Sequence, residues 1–455
     1  TLSLLGLLQL GGIMKINTDA GRLDSTIGNA AYFGMYIILH IFLTFFMLIR
    51  WQGKRSVRYF YGMVLLLHII ILYFTATRGS MIGLIGGMLI TTILIALIEK
   101  ERIILRRIAI GVIFGIIIMI GGFVLVRNQP FIKQSLILNR FNVVSLEGFK
   151  NQPRYHLWLI AIKGFKERPI LGWGQENYKN IFFKYYHPAL YNSEIISDKP
   201  HNTVLEWLTS GGLLGLLGYL SIYLTTLYYV WFSKKSNWQL TEKSLMTGLL
   251  IGYFINGLFL FDNPASYIIF FTFLAYIYSQ TVKNYEEETQ PKLTKAYHEK
   301  QQKKINIVAI PVVLIVFLTI YFLNVKGIMA AANLSPAMFL NASDPSKNLE
   351  QFKKALENNS FGYEKIRQEL AILAIDVKDS QNINTALKQN FFDLALSEIK
   401  KQTKEMPLDA HNFYLQGSLL YSYGEYEQAL LFLEEARKLS PKKQVILLKI
   451  ANVYI

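Results

Sequence analysis

The sequence contains no cysteine. A disulfide framework, a thiol nucleophile and a cysteine-based metal site are therefore excluded. Charge is also scarce, and acidic residues are scarcer than basic ones: 31 Asp and Glu stand against 47 Lys and Arg, for a net charge of +16. Residues 325–455 carry 16 basic and 15 acidic side chains, so the excess belongs to the preceding part of the chain. Most of it is explained by membrane topology, which argues against nucleic acid as a partner.

Long runs without charge recur along the first three quarters of the chain. Their length matches the roughly 20 residues that a helix needs to cross a bilayer. Each span is expected to be helical, because lipid offers backbone polar groups no other partner. The sequence predicts an all-α, multi-pass membrane domain over residues 1–324, with spans at 30–49, 59–77, 81–98, 108–126, 203–232, 244–260, 266–282 and 305–324. The apolar stretch 1–13 is too short for a span and begins at Thr1, so we expect further N-terminal spans upstream.

Basic residues cluster in alternate loops. They fall at 50–58, 100–107, 234–243 and 283–304, which the positive-inside rule assigns to the cytoplasm. The large loop 127–202 and everything after Asn324 are then predicted to lie outside. This loop carries eleven basic against five acidic residues. An anionic ligand is the simplest reason for the excess.

His201 and Asn202 stand where the polar loop meets an apolar helix. A histidine changes charge near pH 6.5, which suits a general base. The alternative is an interfacial histidine that only caps the helix. Gly211, Gly212 and Gly215 follow, and the pattern is typical of a helix that packs closely against a neighbour in a membrane.

Two arginines share the predicted outer side with His201. Arg78 lies in a tight turn between two spans, where a charge is costly unless it meets water or an anion. Its alternative role is a side chain that reaches the headgroup layer. Arg154 follows Pro153, which is expected to start a helix with Leu157, Trp158, Ile162 and Phe165 on one apolar face. Arginine binds phosphate bidentately and stays protonated, so the two arginines could clamp a diphosphate.

The C-terminal part, residues 325–455, is predicted to be a separate helical repeat domain. From Phe413 onward, Gly417, Gly424, Ala429, Ala436 and Pro441 have the spacing of a tetratricopeptide repeat, which forms an α-solenoid. One repeat cannot bury its own face, so more repeats are expected beyond Ile455. Such a domain could bind a protein partner, or it could only brace the membrane domain.

The motifs taken together resemble the O-antigen ligase and polymerase superfamily of bacterial envelope glycosyltransferases, which includes protein O-oligosaccharyltransferases. The resemblance covers roughly residues 20–282. Its motifs are Arg78-Gly79 between two spans, Arg154 followed by Trp158, His201-Asn202 followed by Gly212 and Gly215, and the outer-loop segment 22–29 that begins with Arg22.

The resemblance implies a GT-C-like membrane fold and an inverting, metal-independent glycosyl transfer on the outer face of the cytoplasmic membrane. The donor would be a polyprenyl-diphosphate-linked oligosaccharide, and the acceptor a glycan, lipid or protein hydroxyl. Catalytic roles would fall to His201, Arg78 and Arg154, without cofactor or metal. Substrate contacts would come from Asn202, Glu206, Arg22 and Trp158, among which Asn202 and Glu206 would orient His201. Ligase and polymerase share these motifs, so both remain open.

Two other classes compete with this interpretation. A coupled transporter usually carries ionisable residues inside the membrane, but the predicted spans hold few beyond His40, His68 and Glu206. A membrane-anchored assembly factor would need the domain 325–455 and tolerate changes at Arg78 or His201.

Overall fold

The structure, a computed structural model, describes residues 1–18, 21–142, 150, 152–233, 237–289, 309–341 and 344–455, with the backbone alone for 282–289. The described residues are helical and form no strand, which confirms the all-α prediction. Packing divides the chain into two compact units. The first unit comprises Thr1–Tyr178 and Ser197–Gln290, and the second comprises Lys179–Ile196 and Pro291–Ile455.

The first unit consists of long apolar helices and short helices between them. They are α1 (Leu2–Leu10), α2 (Ala30–Arg50), α3 (Arg55–Phe74), α4 (Arg78–Ile98), α5 (Ile103–Val126), α6 (Pro130–Gln134), α7 (Asn139–Asn142), α8 (Pro153–Glu167), α10 (Thr203–Phe232), α11 (Leu240–Gly257) and α12 (Pro264–Thr289). Helix α9 (Tyr178–Lys184) begins at the last residue of the first unit and continues into the second.

Six helices among the described residues are long and apolar enough to cross a membrane. They are α2, α3, α4, α5, α10 and a helix over Ala309–Ala337, here called α13. The chain is therefore a multi-pass membrane protein, as predicted. The two other predicted spans lie in α11 and α12, and their crossing of the membrane stays a prediction.

Helices α4 and α11 form the closest helix contact of the first unit. Each carries small residues four positions apart along the shared face, which lets the two backbones touch. A methyl group on Gly87 would lie 2.4 Å from the Gly248 carbonyl oxygen, and one on Gly83 would lie 2.6 Å from that of Gly252. The two helices run antiparallel, because Gly79 approaches Asn256 at one end and Thr91 Oγ1 donates to the Ser244 carbonyl at the other.

Several helix ends lie together near the Gly79 end of the α4–α11 contact. Thr77, before α4, donates its hydroxyl to the Ala30 carbonyl at the start of α2. Thr203, the first residue of α10, donates through both its amide and its hydroxyl to the Leu260 carbonyl, after α11. The N-termini of α2, α4 and α10 are thereby fixed beside one another.

The second unit contains α13 and six amphipathic helices after it. They are α14 (Ser346–Glu357), α15 (Tyr363–Asp379), α16 (Thr385–Glu405), α17 (Ala410–Ser422), α18 (Tyr426–Leu439) and α19 (Gln444–Tyr454). In α17, Gly417 approaches α18 so closely that a methyl group there would lie 3.0 Å from the Ala429 carbonyl oxygen. The predicted small residues do allow this pair to pack closely. The tetratricopeptide assignment itself stays a prediction, as does the boundary between residues 324 and 325, which falls inside the continuous helix α13.

Candidate active site

The turn before α4 accepts hydrogen bonds from Arg22, the first of the predicted site arginines along the chain. Arg22 reaches across it, with Nε donating to the Thr75 carbonyl at 3.0 Å and Nη2 donating to Thr77 Oγ1 at 3.1 Å. Arg78 is the next residue and begins α4. The sequence predicted Arg22 and Arg78 as separate site residues, and the turn places them together.

Arg78 connects the turn to the large loop. Its Nη1 donates to the Arg140 carbonyl at 3.1 Å, which brings α7 and the chain before it against the N-terminus of α4. A cavity of about 360 Å³ opens there, and the described residues that line it include three cations and no carboxylate. Its lining is Arg78, Lys133, Gln134, Ser135, Leu136, Asn139, Arg140 and Gln152. Cations combined with amide and hydroxyl groups suit a phosphate-bearing ligand.

Arg22 lies near three other arginines, Arg78, Arg140 and Arg154, of which Arg78 and Arg140 line this cavity. Burial, and then the charges of Arg140, Arg154 and Arg78, lower the pKa of Arg22 to about 10. Burial likewise lowers the pKa of Arg140, whose Nε is buried without a hydrogen-bond partner among the described residues. All four remain charged at neutral pH, since arginine titrates far above it. A bound anion would relieve both the repulsion and the unsatisfied donor.

Arg154 lies in the first turn of α8, which begins at Pro153 as predicted. Proline at this position costs no hydrogen bond, since the first amides of a helix have no internal partner. The buried face of α8 is Leu157, Ile160, Ala161 and Gly164. The buried face shares only Leu157 with the predicted apolar face, in which Ile162 is 38% exposed and Trp158, the predicted substrate contact, is half-buried one turn after Arg154.

His201 immediately precedes the N-cap of α10 and lies near Arg154. Burial, and then the positive charge of Arg154, lower the pKa of His201 to about 4. The imidazole is therefore neutral at physiological pH, as a general base requires. Its ring lies 5.3 Å from that of Phe261, measured between centroids. The backbone of His201 has a φ of +53°, a left-handed conformation that a non-glycine residue keeps only when its surroundings hold it.

The neighbours of His201 provide that support. Asn202 caps α10 by accepting a hydrogen bond from the Leu205 amide at 3.1 Å. Lys199 pairs with Glu206 at 2.8 Å and with Glu176 at 3.5 Å. Burial opposes the charge of Lys199, but the bonds to Glu206 and Glu176 outweigh it and raise the pKa of Lys199. Asn202 thus binds the backbone of α10, and Glu206 binds Lys199. Contacts of these two residues with substrate stay a prediction.

Helix α10 is broken at Gly212, and the break sets the direction of the helix turns that follow His201. Gly212 has φ +63° and ψ −156°, so the helix is interrupted there. The segment 169–174 pairs with the opened backbone: Trp173 and Gly174 donate their amides to the Thr209 and Ser210 carbonyls. In return, the Leu213 amide donates to the Pro169 carbonyl at 2.8 Å. Backbone groups freed in a membrane helix need such partners.

The predicted role of the glycines in α10 needs correction. They were expected to let α10 pack closely against a neighbouring helix. Gly212 instead lies at the break, where φ is positive and a methyl group would lie 2.3 Å from the Ile170 carbonyl oxygen. Gly215 packs against Trp207 of the same helix, across the break. The reason is the neighbouring segment, which inserts where a continuous helix would leave no room.

Sequence reasoning missed Arg140 and Lys133 as site residues. The signal available was the basic excess of the loop 127–202, which pointed to an anion but to no single residue. Their placement depends on short helices and on one contact to Arg78. Among the described residues, no group of three or more His, Asp or Glu side chains could hold a metal ion.

The region of the chain that contains most of this site is similar to a known protein family. Residues 63–220 match the O-antigen ligase family. The matched range contains Arg78, Arg140, Arg154 and His201, together with the break at Gly212, while Arg22 lies before it. These three arginines, the histidine and the break thus fall inside the similar region.

A curated relative gives the same result over a shorter range. An O-antigen ligase from Pseudomonas aeruginosa is 31% identical over 111 residues, which are 24% of this chain and 25% of the relative. The matched segment thus spans about a quarter of the relative's length. No solved structure matches the chain. Both matches support membership of the O-antigen ligase superfamily.

Proposed function

We propose that this protein is an O-antigen ligase-like glycosyltransferase. It transfers a glycan from a polyprenyl diphosphate to a hydroxyl group of a glycan, lipid or protein acceptor. The observation that carries the proposal is a group of four half-buried arginines, one of which, Arg154, lies near a neutral histidine. The similarity to O-antigen ligases over residues 63–220 supports it.

The chemistry divides between the two kinds of side chain. The acceptor oxygen attacks the anomeric carbon of the donor sugar, and the bond from that carbon to the diphosphate oxygen breaks. His201 takes the hydroxyl proton on an unprotonated ring nitrogen. Arg78, Arg140 and Arg154 bind the diphosphate as its negative charge develops. Attack opposite the leaving group inverts the configuration at the anomeric carbon.

Arginines supply the stabilisation of the leaving group in this proposal, so transfer is expected to proceed without a divalent metal. Preorganised positive charge in a site shielded from water is commonly the largest catalytic contribution. Arg22 joins the cluster through its hydrogen bonds to the turn before α4, and Trp158 is expected to contact the donor. The site faces the outside of the cytoplasmic membrane, in keeping with the basic loops on the opposite side of the predicted topology.

A transfer assay tests the proposal. Purified full-length protein is incubated with polyprenyl-diphosphate-linked oligosaccharide and candidate acceptors in EDTA, and the release of polyprenyl diphosphate is measured. Arg78→Ala, Arg154→Ala and His201→Ala should each lose at least about a hundredfold in rate, the scale of one removed charge-stabilising or proton-accepting group. Arg107→Ala, at an exposed position near the start of α5, is the matched control and should retain activity.

The product distinguishes the two activities that the superfamily combines. A ligase attaches one glycan to a different acceptor, whereas a polymerase lengthens the donor glycan itself. Folded wild-type protein that turns over no donor with any acceptor would refute the proposal. Activity that depends on a divalent metal would refute the arginine-based mechanism alone.

A further inference from the structure

Part of the large loop belongs to the second unit. Residues Lys179–Ile196 pack with the C-terminal helices, although in the sequence they lie between the Arg154 helix and His201. Tyr178, immediately before this segment, donates its hydroxyl to the Leu157 carbonyl of α8 at 2.7 Å. His201 follows the segment by five residues. Along the chain, the segment therefore connects α8 to His201, two elements of the proposed active site.

A buried ion pair holds the start of the segment. Lys179, whose side chain is 9% exposed, lies 3.1 Å from the Asp409 carboxylate, which is 1% exposed, and it also pairs with Glu364 of α15. Burial opposes the charge, but Asp409 and Glu364 outweigh it and raise the pKa of Lys179. Asp409 also caps α17 by accepting from the His411 amide. A charge pair this buried strongly resists separation, because either partner alone would be uncompensated.

An aromatic group holds the rest of the segment. Phe182, Phe183 and Tyr186 surround the ammonium group of Lys443, which lies 4.3 Å from the centre of the Tyr186 ring. Lys443 also donates a hydrogen bond to the Ile195 carbonyl near the end of the segment. Cation–aromatic contacts of this kind are strongest where water is excluded.

Two further hydrogen bonds join the segment to the last helices. Ser440 Oγ donates to the Phe183 carbonyl at 2.8 Å, and Gln444 Nε2 donates to the Pro188 carbonyl at 3.0 Å. The segment is thus held at its start, middle and end by residues between Glu364 and Gln444.

We propose that the C-terminal unit is a positioning domain for the active site. By holding 179–196 it limits the freedom of residues 197–201 and so keeps His201 in its left-handed backbone conformation. Lys179, Lys443, Ser440 and Gln444 are positioning residues, which act through the chain rather than on the substrate. The catalytic part of this inference rests on the proposed function, whereas the positioning of residues 197–201 does not.

Hydrogen exchange and kinetics of the full-length protein test the inference. The variant Ser440→Ala/Gln444→Ala removes two hydrogen bonds without leaving a buried charge, so the unit should still fold. Exchange of amides in 179–201 should become about tenfold faster, in line with the loss of one or two hydrogen bonds. The kcat for transfer should fall about tenfold while the donor KM stays within about twofold, because the diphosphate-binding arginines are untouched.

Two further variants complete the test. Lys443→Met should have a larger effect of the same kind, and Lys443→Arg, which keeps the charge in the aromatic group, should restore part of kcat. Lys438→Ala removes only an exposed ion pair with Glu435 in α18 and should match wild type in both measurements.

The outcomes separate the two proposals. Faster exchange in 179–196 with wild-type exchange in 197–201 would overturn the positioning role, as would faster exchange throughout with unchanged kcat. Should Arg78→Ala and His201→Ala turn over donor like wild type, the proposed function fails, and the exchange rates of 197–201 still decide whether the C-terminal unit positions His201.

Discussion

The requirement for the break in α10 can be tested by comparing two glycines of that helix, Gly212 at the break and Gly218 away from it. Gly212 has a backbone conformation that other residues rarely adopt, and the carbonyl oxygen of Ile170 lies where a side chain would begin. Gly218, six residues later, has no atom within 4 Å of the same position. Replacing each by alanine adds the same methyl group to the same helix.

The two substitutions are expected to change the free energy of unfolding in opposite directions. For Gly212→Ala, the backbone strain is about 1–3 kcal/mol. The methyl group must also displace the Ile170 carbonyl from 2.3 Å, and a hydrogen bond lost at the paired segment adds roughly 1 kcal/mol. The sum is about 2–4 kcal/mol of destabilisation. For Gly218→Ala, helix propensity predicts a gain of about 0.5–1 kcal/mol.

Thermal unfolding of the two variants in detergent measures the difference. Gly212→Ala should unfold at a clearly lower temperature than wild type, and Gly218→Ala at the same temperature or a higher one. Transfer activity at a temperature where both are folded should fall only in Gly212→Ala, because the break directs the turn that carries His201. Equal stability and activity for the two variants would refute the view that the break is required.

Three more predictions follow from the site and the bundle. Arg140→Ala should weaken donor binding about 10- to 100-fold, as expected for a charge-assisted bond, with Arg140→Lys recovering part of it in the same titration. Since burial and Arg154 lower the pKa of His201 to about 4, kcat/KM for the donor, which reports the free enzyme, should be flat from pH 8 to 6 and fall only as the pH approaches 4; an inflection of kcat/KM near 6.5 would contradict this environment. Gly87→Val should destabilise the α4–α11 contact by about 3 kcal/mol, whereas Gly115→Val in α5, with no atom within 4 Å, should not, as thermal unfolding can show.

The sequence predicted the helices well because their cause is local. Uncharged runs of membrane length determine the spans, and Pro153 marks the start of α8. The helix cap considered for His201 is made instead by Asn202. The contributions of Arg78 and Arg154 to one basic cluster were also predicted, since both lie at predicted outer ends of helices.

The sequence could not predict features that depend on distant partners. Gly212 looks like any membrane glycine until the segment 169–174 is seen to pair with it. Arg140 lies in a four-residue helix without periodicity, and only its contact with Arg78 places it in the site. The aromatic residues between Phe182 and Tyr186 read as an ordinary loop, because the lysine they surround is more than 250 residues away in the sequence.

The arginines and the histidine influence one another in a way that orders the proposed reaction. Without an anion, burial and the charge of Arg154 hold the pKa of His201 low, so the imidazole stays neutral but accepts a proton poorly. A bound diphosphate would offset the positive charges and raise that pKa, since a nearby negative charge favours the imidazolium. The base would then become effective only when the donor occupies the arginines. Proton transfer from an acceptor would thereby be restricted to the complex in which a leaving group is present, which limits futile activation of the acceptor.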